Sequence, residues 1–137
     1  NQKGLTLIEL LAVVVILGII AAIAVPAIGN VIEKTRLDAV RADAMQVLDA
    51  AKLAVASEGV PTDNEFSSSA NDLANYIEEV KTLASYDVHV NDAGTEFKIK
   101  FTTKTISGNV YNTTGKGPEG TDYVGDSALE NNDIFKD

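Results

Sequence analysis

The sequence predicts an α+β protein in which one long N-terminal α-helix packs on a small antiparallel β-sheet. Three patterns predict this fold class. An uncharged apolar segment runs from Leu10 to Ile32, and a charged stretch with apolar residues three and four positions apart follows it. Apolar and polar residues then alternate around residues 88–90 and 97–101. The first spacing is helical, and the alternation is typical of half-buried strands.

The apolar segment is long enough to cross a membrane as a helix. At about 1.5 Å of rise per residue it spans a hydrocarbon core of roughly 30 Å. A secretory signal peptide has a shorter apolar core with its cleavage site behind it. Here the plausible cleavage site, between Gly4 and Leu5, precedes the apolar residues. We therefore expect the helix to stay on the mature protein. An ordinary signal anchor for a small domain is the alternative.

Two residues weaken this helix, Gly18 and Pro26. Proline in a helix interior removes one backbone hydrogen bond and costs about 3 kcal/mol. One interpretation is a tolerated kink, which neighbouring groups in a membrane can satisfy. The other is a weak section that melts or stretches when the helix changes its environment.

The helix continues beyond the apolar segment to about Ser57 and is amphipathic there. Gly59 and Pro61 should end it. The predicted apolar stripe of this half consists of Leu37, Val40, Ala44, Val47, Leu48, Ala51 and Val55.

The remaining chain predicts a loop, a second helix and a sheet. The loop covers Val60 to Ser68, and Ser69 would cap a helix from Ala70 to about Ala84. A hairpin follows, with Val88 and Val90 in one strand, a turn at Asn91–Gly94, and the alternating residues 97–101 in the next. Ile106 to Tyr111 is predicted as a third strand. These strands should cover the apolar stripe of the long helix.

Charge and composition exclude several classes of function. The net charge is −9, from 11 basic and 20 acidic residues, so we expect no direct nucleic-acid binding by the isolated subunit. The absence of cysteine excludes disulfides, thiolate metal sites and cysteine nucleophiles. His89 has no second histidine or cysteine to share a metal with, and is predicted to be a packing or surface residue.

The N-terminal run from Gly4 to Leu10, Gly-Leu-Thr-Leu-Ile-Glu-Leu, resembles the N-terminus of type IV pilins and the related pseudopilins. Gly18 and Pro26 belong to the same resemblance, which covers about the first 55 residues. The resemblance implies that a prepilin peptidase cuts after Gly4 and that Leu5 becomes the N-methylated first residue. Leu5 departs from the phenylalanine most common at that position. The implied fold is pilin-like.

The resulting organisation has four parts. Residues 1–4 are expected to be a leader remnant, and residues 5–30 an apolar helix for the membrane and the filament core. Residues 31–58 continue the helix as its amphipathic half. Residues 59–137 form a globular pilin head with an αβ-loop, a small β-sheet and a C-terminal loop. In many pilins a disulfide pins the last region. Without one, the sequence leaves the order of the chain from Asn112 onward open.

Glu9 is the predicted register residue, and Thr6 is assigned to assembly with it. Glu9 lies one helical turn beyond Leu5, whose α-amino group would be a cation after cleavage, with a reference pKa of about 8. A Glu9 carboxylate can pair with the exposed amine of a neighbouring subunit, because burying both charges together costs less than burying either alone. The alternative is an ordinary acid at a helix N-terminus, favoured by the helix dipole. The resemblance adds that the stretch Gly18–Pro26 loses helicity in assembled pili.

The leading functional hypothesis is a structural subunit, the major pilin of a type IV pilus used for adhesion, twitching motility or DNA uptake. Its partners would be copies of itself in a helical filament, inner-membrane lipid, prepilin peptidase and the pilus assembly platform. It would be a single-pass protein of the cytoplasmic membrane before assembly and part of a cell-surface pilus afterwards. We expect no enzymatic activity, no cofactor and no metal site.

Two alternatives remain open. A pseudopilin would act as a short piston in type II secretion or competence. A membrane-anchored enzyme or binding domain would need a clustered site, and the sequence shows none. Some pseudopilins bind Ca²⁺ near the C-terminus, but the acids there do not follow an EF-hand spacing. These acids are Asp122, Asp126, Glu130, Asp133 and Asp137.

Overall fold

The computed structural model describes residues 2–130 and 133–135, with the backbone alone for residues 2–5 and 133. Its contacts divide the chain into two compact units, one up to Thr35 and one from Arg36 onward, here called the C-terminal unit. One long helix and a three-stranded antiparallel sheet confirm the predicted α+β class. The elements are α1 (Gln2–Glu58), β1 (Glu65–Ser67), β2 (Leu83–Val90), β3 (Phe97–Thr103) and α2 (Asp126–Glu130), with 3-10 turns at Pro118–Gly120 and Asp133–Phe135.

Helix α1 ends as the sequence predicts. Its last residue is Glu58, and Gly59 follows in the left-handed conformation with φ of 84°. The Gly59 N–H donates to the Val55 carbonyl at 2.9 Å, which satisfies one of the last helical carbonyls. Glycine is favoured at this position because it has no Cβ to oppose a positive φ.

The sheet has the order β1-β2-β3, and both pairs are antiparallel. The predicted hairpin is confirmed, because β2 and β3 pair around the turn that begins at Asn91. The Asn91 side-chain oxygen accepts the N–H groups of Thr95 (2.8 Å) and Glu96 (3.0 Å). Gly94 has φ of 71°, as this tight turn requires.

The predicted helix from Ala70 to about Ala84, capped by Ser69, is wrong. Residues 68–76 form turns, and Asn71 has φ of 58°, a conformation that an α-helix does not contain. The polar side chains explain this outcome. The Asp72 carboxylate accepts the Ser67 N–H at 2.8 Å, and the Ser67 and Ser69 hydroxyls lie 2.9 Å apart. Such local bonds offer the backbone an alternative to helical hydrogen bonds.

The predicted third strand, Ile106 to Tyr111, is also wrong. Ile106 and Asn109 exchange two backbone hydrogen bonds of 2.7 and 2.9 Å across a tight turn. Ser107 and Gly108 both have positive φ, 51° and 84°, which is the pattern of a two-residue hairpin turn. The third strand of the sheet is β1 instead, and it lies within the stretch predicted as a loop.

The core of the C-terminal unit forms between α1 and the sheet, so the prediction that strands cover the apolar stripe is confirmed. Of the predicted stripe, Leu37 and Val55 are partly buried and the others are buried. From the sheet, the alternating residues Val88, Val90 and Ile99 are completely buried. The buried residues of α1 in this core are Val40, Ala44, Val47, Leu48, Ala50, Ala51 and Ala54.

The C-terminal segment is fastened to this core without a disulfide. Val124 and Ile99 exchange two backbone hydrogen bonds of 2.8 Å, which extend the sheet beyond β3. The Lys52 ammonium lies 3.1 Å from the Asp126 carboxylate and ties α2 to α1. Leu129 of α2 is completely buried. Hydrophobic burial and backbone hydrogen bonds therefore hold the C-terminal segment against the core in place of a disulfide.

Gly117→Ala is expected to destabilise the C-terminal unit. A Cβ at Gly117 would overlap the Tyr123 carbonyl oxygen and lie 2.9 Å from the Thr121 carbonyl oxygen. Both obstacles are backbone atoms, so we expect a loss of about 1–3 kcal/mol in the free energy of unfolding. Urea unfolding of the full chain in detergent micelles, followed by tyrosine fluorescence, would measure it, since all 4 tyrosines lie in the C-terminal unit. Gly125→Ala is the control, because a Cβ there meets nothing within 4 Å. Equal stability of the two variants would contradict this expectation.

Candidate processing and assembly site

No residue of the apolar segment of α1 is buried, and all but Ala24 are exposed. None of the side chains in its most apolar window is buried, and Ile23, for example, is 71% exposed. By length and composition this is a helix that could cross a membrane. Monomeric soluble proteins rarely expose apolar surface of this extent. The segment therefore requires lipid or other apolar helices around it.

Thr6 and Glu9 lie on one face of α1, where they line a shallow concavity with Leu10 and Val13. The spacing of three and four residues places these four side chains along one helical stripe. Glu9 is exposed and has aliphatic neighbours on this stripe. If lipid or a second helix covers the stripe, the carboxylate loses its water, and a cation then becomes its natural partner.

Gly4 and Leu5, the predicted cleavage pair, belong to α1, and the structure describes their backbone only. Cleavage after Gly4 and methylation of Leu5 therefore stay predictions. From Leu5 to Glu9 the helix rises by about 6 Å. An amine at Leu5 and a carboxylate at Glu9 would consequently lie at different depths, which leaves room for pairing between subunits displaced along the filament axis.

Helix α1 passes through Gly18 and Pro26 without interruption in the single chain. A Cβ at Gly18 would meet nothing within 4 Å, so no packing contact explains this glycine. Pro26 lies inside the helix, where it cannot donate a backbone hydrogen bond. The predicted loss of helicity concerns the assembled state, and it stays a prediction.

The geometry defines a class of protein: a chain with an exposed helix of membrane-spanning length, an acid near the start of that helix and a small α+β unit that follows it in sequence. Residues 1–25 match the family model described as Prokaryotic N-terminal methylation motif, the signature of type IV prepilins. The chain thus carries the N-terminal signature of a type IV pilin-like or pseudopilin precursor. Helix α1 is long and apolar enough to cross a membrane. Neither a curated protein nor a solved structure matches the chain.

The sequence reasoning missed a polar cluster on the sheet face opposite the core. Its centre is Tyr123, whose hydroxyl donates to the Glu65 carboxylate at 2.9 Å. The Tyr123 ring lies 5.8 Å from the His89 ring, and the Lys100 ammonium is 5.2 Å from the ring centre. Lys100 also pairs with Asp87 at 3.6 Å. We call these five residues the Tyr123 cluster. His89 is an exposed residue of β2.

The Tyr123 cluster ties the C-terminal segment to all three strands of the sheet, because Glu65 lies in β1, His89 in β2 and Lys100 in β3. Burial raises the pKa of the Tyr123 phenol, and the hydrogen bond to Glu65 raises it further. The charges of Glu65, Asp87 and Asp122 act in the same direction on this pKa. The arrangement stabilises the neutral form of the Tyr123 phenol, and its contacts attach the C-terminal segment to the sheet.

The raised pKa predicts a specific loss of stability at alkaline pH. Above about pH 10 the unfolded chain loses the Tyr123 proton while the folded chain retains it, so the free energy of unfolding falls as pH rises. Below pH 10 this contribution is constant. Burial and the nearby Asp72 also raise the pKa of Tyr86, so a smaller slope remains when Tyr123 is removed. We expect Tyr123→Phe to flatten the decline between about pH 10 and 12 in urea unfolding. An unchanged slope in this variant would contradict the assignment.

Two of the C-terminal acids, Asp122 and Asp126, form structural contacts, and Glu130 is exposed. Asp122 accepts the Gly115 N–H at 3.0 Å, and Asp126 pairs with Lys52. Within residues 2–130 and 133–135, no group of three or more histidine, cysteine, aspartate or glutamate side chains is placed to hold a metal ion. The side chain of Asp133 and the whole of Asp137 lie outside the described residues.

Proposed function

We propose that the chain is the major structural subunit of a type IV pilus, assembled by helix packing from a membrane-inserted precursor. One observation carries this proposal. The prepilin motif opens a helix whose apolar segment has no buried side chain in its most apolar window, with Glu9 near the start of that helix. A folded C-terminal unit of this size, together with an intact Glu9, supports the role of a main filament subunit.

The apolar segment of α1 would be covered in two different environments. In the precursor, lipid covers the apolar segment and the helix lies in the cytoplasmic membrane. In the pilus, the apolar segments of neighbouring copies cover each other in the filament core. Because lipid tails and aliphatic side chains are similarly apolar, close packing and polar pairing must favour the filament.

Glu9 supplies the polar pairing. Prepilin peptidase would expose the Leu5 amine, and an incoming Glu9 would pair with the amine of the preceding subunit. A displaced register would leave both charges unpaired in an apolar core, which is strongly unfavourable. Thr6 lies on the Glu9 stripe and would belong to the same contact.

The Gly18–Pro26 section provides the adaptability that such packing needs. We expect residues 18–26 to lose α-helical hydrogen bonds in the filament, because Pro26 and Gly18 both lower the cost of doing so. A filament structure determined by electron cryomicroscopy would measure the backbone dihedral angles there. Continuous α-helix through these residues in the filament would contradict the expectation.

A direct test purifies surface filaments from cells that express the chain. Mass spectrometry should find a subunit that begins at Leu5 and carries an N-methyl group, and electron microscopy should show long filaments. Short assemblies confined to the cell envelope would point to a pseudopilin instead. Adhesion, twitching motility and DNA uptake are the filament functions to assay next, with assembly-platform mutants as negative controls.

A further inference from the structure

A cluster of unpaired cations lies in the C-terminal unit. The side chains of Arg36, Lys81 and Lys104 line one cavity of about 230 Å³. Arg36 comes from α1, Lys81 precedes β2 and Lys104 follows β3, so the fold brings three distant stretches of chain together here. Ala39, Thr82, Thr105 and Ile106 complete the lining. We call this the cationic cavity.

The three cations differ from the other basic residues of this unit. Among the described residues, Arg36, Lys81 and Lys104 take part in no ion pair within 4.0 Å and no side-chain hydrogen bond. By contrast, Arg41, Lys52, Lys98 and Lys100 each have a carboxylate partner. In a chain of net charge −9, carboxylates are abundant, so three unpaired cations in one place form an unusual positive patch.

Asp43, Glu78 and Glu79 lie near the cationic cavity, but none of them forms an ion pair with its three cations. Asp43 accepts the Thr82 hydroxyl at 2.6 Å and the Thr82 N–H at 3.3 Å, which fixes the backbone beside Lys81. Glu78 and Glu79 line the neighbouring cleft with Lys104, and in the described chain neither forms an ion pair with it. The cationic cavity thus has one wall held by the Asp43 hydrogen bonds, and no carboxylate is among its described lining residues.

Its position along α1 indicates which anion it meets. Arg36 follows Ile32, the last residue of the apolar segment, by four positions. That separation is about 6 Å of helical rise. When the apolar segment fills a hydrocarbon core, Arg36 therefore stands at the depth of the lipid headgroups. An arginine fork and two lysines suit a phosphate, which accepts several charge-assisted hydrogen bonds.

We propose that Arg36, Lys81 and Lys104 bind the phosphate of an anionic phospholipid headgroup while the precursor resides in the membrane. This inference rests on the proposed function, because it requires the apolar segment to lie in a bilayer. The lipid would hold the C-terminal unit at the membrane surface. The headgroup would leave the cationic cavity when the subunit leaves the bilayer.

The test uses the full chain in nanodiscs of phosphatidylcholine with a graded content of phosphatidylglycerol. Hydrogen–deuterium exchange would follow peptides covering residues 80–83 and 104–107. We expect these peptides to exchange more slowly as phosphatidylglycerol increases. The content needed for half of this protection should rise about fivefold when Arg36→Gln, Lys81→Gln or Lys104→Gln removes one cation. Lys98→Gln and Lys100→Gln are matched controls elsewhere on the same unit and should leave it unchanged.

The outcomes separate this inference from the proposed function. A chain that fails to insert into any nanodisc overturns the membrane-resident precursor. A chain that inserts but shows no lipid-dependent protection, or equal losses in the controls, overturns the lipid site alone. Protection by inorganic phosphate in pure phosphatidylcholine would assign the cavity to a free anion. Protection that depends on protein density rather than lipid would assign it to carboxylates of a second copy. Either of these results also overturns the lipid assignment.

Discussion

Glu9→Ala is expected to abolish filament assembly while the subunit is still made and inserted into the membrane. In the proposed filament, the substitution would leave the Leu5 amine of each neighbour without an anion in an apolar core. Removing one partner of a buried ion pair costs about 3–5 kcal/mol, so subunit affinity for the filament should fall a hundredfold or more. Counting surface filaments by electron microscopy, beside immunoblots of the membrane fraction, measures both quantities.

The control for this experiment is another acid of the same helix. Glu58 is exposed at the end of α1, far along the helix from the apolar segment, and Glu58→Ala should assemble normally. Glu9→Asp keeps the charge on a shorter side chain and should assemble partly. Normal filament numbers from Glu9→Ala would contradict the proposed ion pair between Glu9 and the Leu5 amine. Loss of the subunit from the membrane would instead show that Glu9 acts in insertion.

The largest expected effect on stability is that of Leu129→Ala. Leu129 is completely buried and lies in α2, which no disulfide attaches to the rest of the C-terminal unit. Truncating a buried leucine removes its burial and leaves a cavity, at a cost of about 2–5 kcal/mol. We expect urea unfolding of the full chain in micelles, measured by tyrosine fluorescence, to shift to clearly lower urea concentration.

Leu53→Ala provides the comparison, since the Leu53 side chain is 54% exposed on α1. Its effect should stay within about 0.5 kcal/mol, as for most surface substitutions. If Leu129→Ala proved as mild as Leu53→Ala, the C-terminal segment would not be part of the cooperative core. Burial of Leu129 would then not hold the C-terminal segment in place of a disulfide.

The elements that the sequence predicted correctly have strong local signals. α1 shows helical spacing over many turns and ends at Gly59, and the hairpin shows strict alternation around Asn91 and Gly94. The segment from Ala70 to Ala84 carries apolar residues at helical spacing as well, yet it does not form a helix. Leu73 and Val80 are buried there as the spacing suggests, but turns made by serine, asparagine and aspartate side chains set the backbone. The apolar spacing of this segment therefore accompanies burial of its side chains in turns and not in a helix.

The placement of the N-terminal candidate residues on one helix could be predicted because it is local. Gly4, Leu5, Thr6 and Glu9 lie within six consecutive residues, so their spacing on one helix follows from the sequence alone. The Tyr123 cluster and the cationic cavity could not be predicted in this way. Each joins residues from stretches of chain that are far apart. The Tyr123 cluster depends on the pairing of β1 and on the path of the C-terminal segment, which carried no clear signal. The cationic cavity depends on where α1 lies beside the start of β2 and the end of β3.

We propose above that the Glu9 carboxylate of one subunit meets the newly exposed Leu5 amine of the next. A filament structure from electron cryomicroscopy would give the distance between the Leu5 α-amino nitrogen and the nearest Glu9 carboxylate of a neighbouring subunit. We expect a separation within about 4 Å, the limit for an ion pair. A Glu9 side chain that faces solvent, or that pairs only within its own subunit, would contradict it.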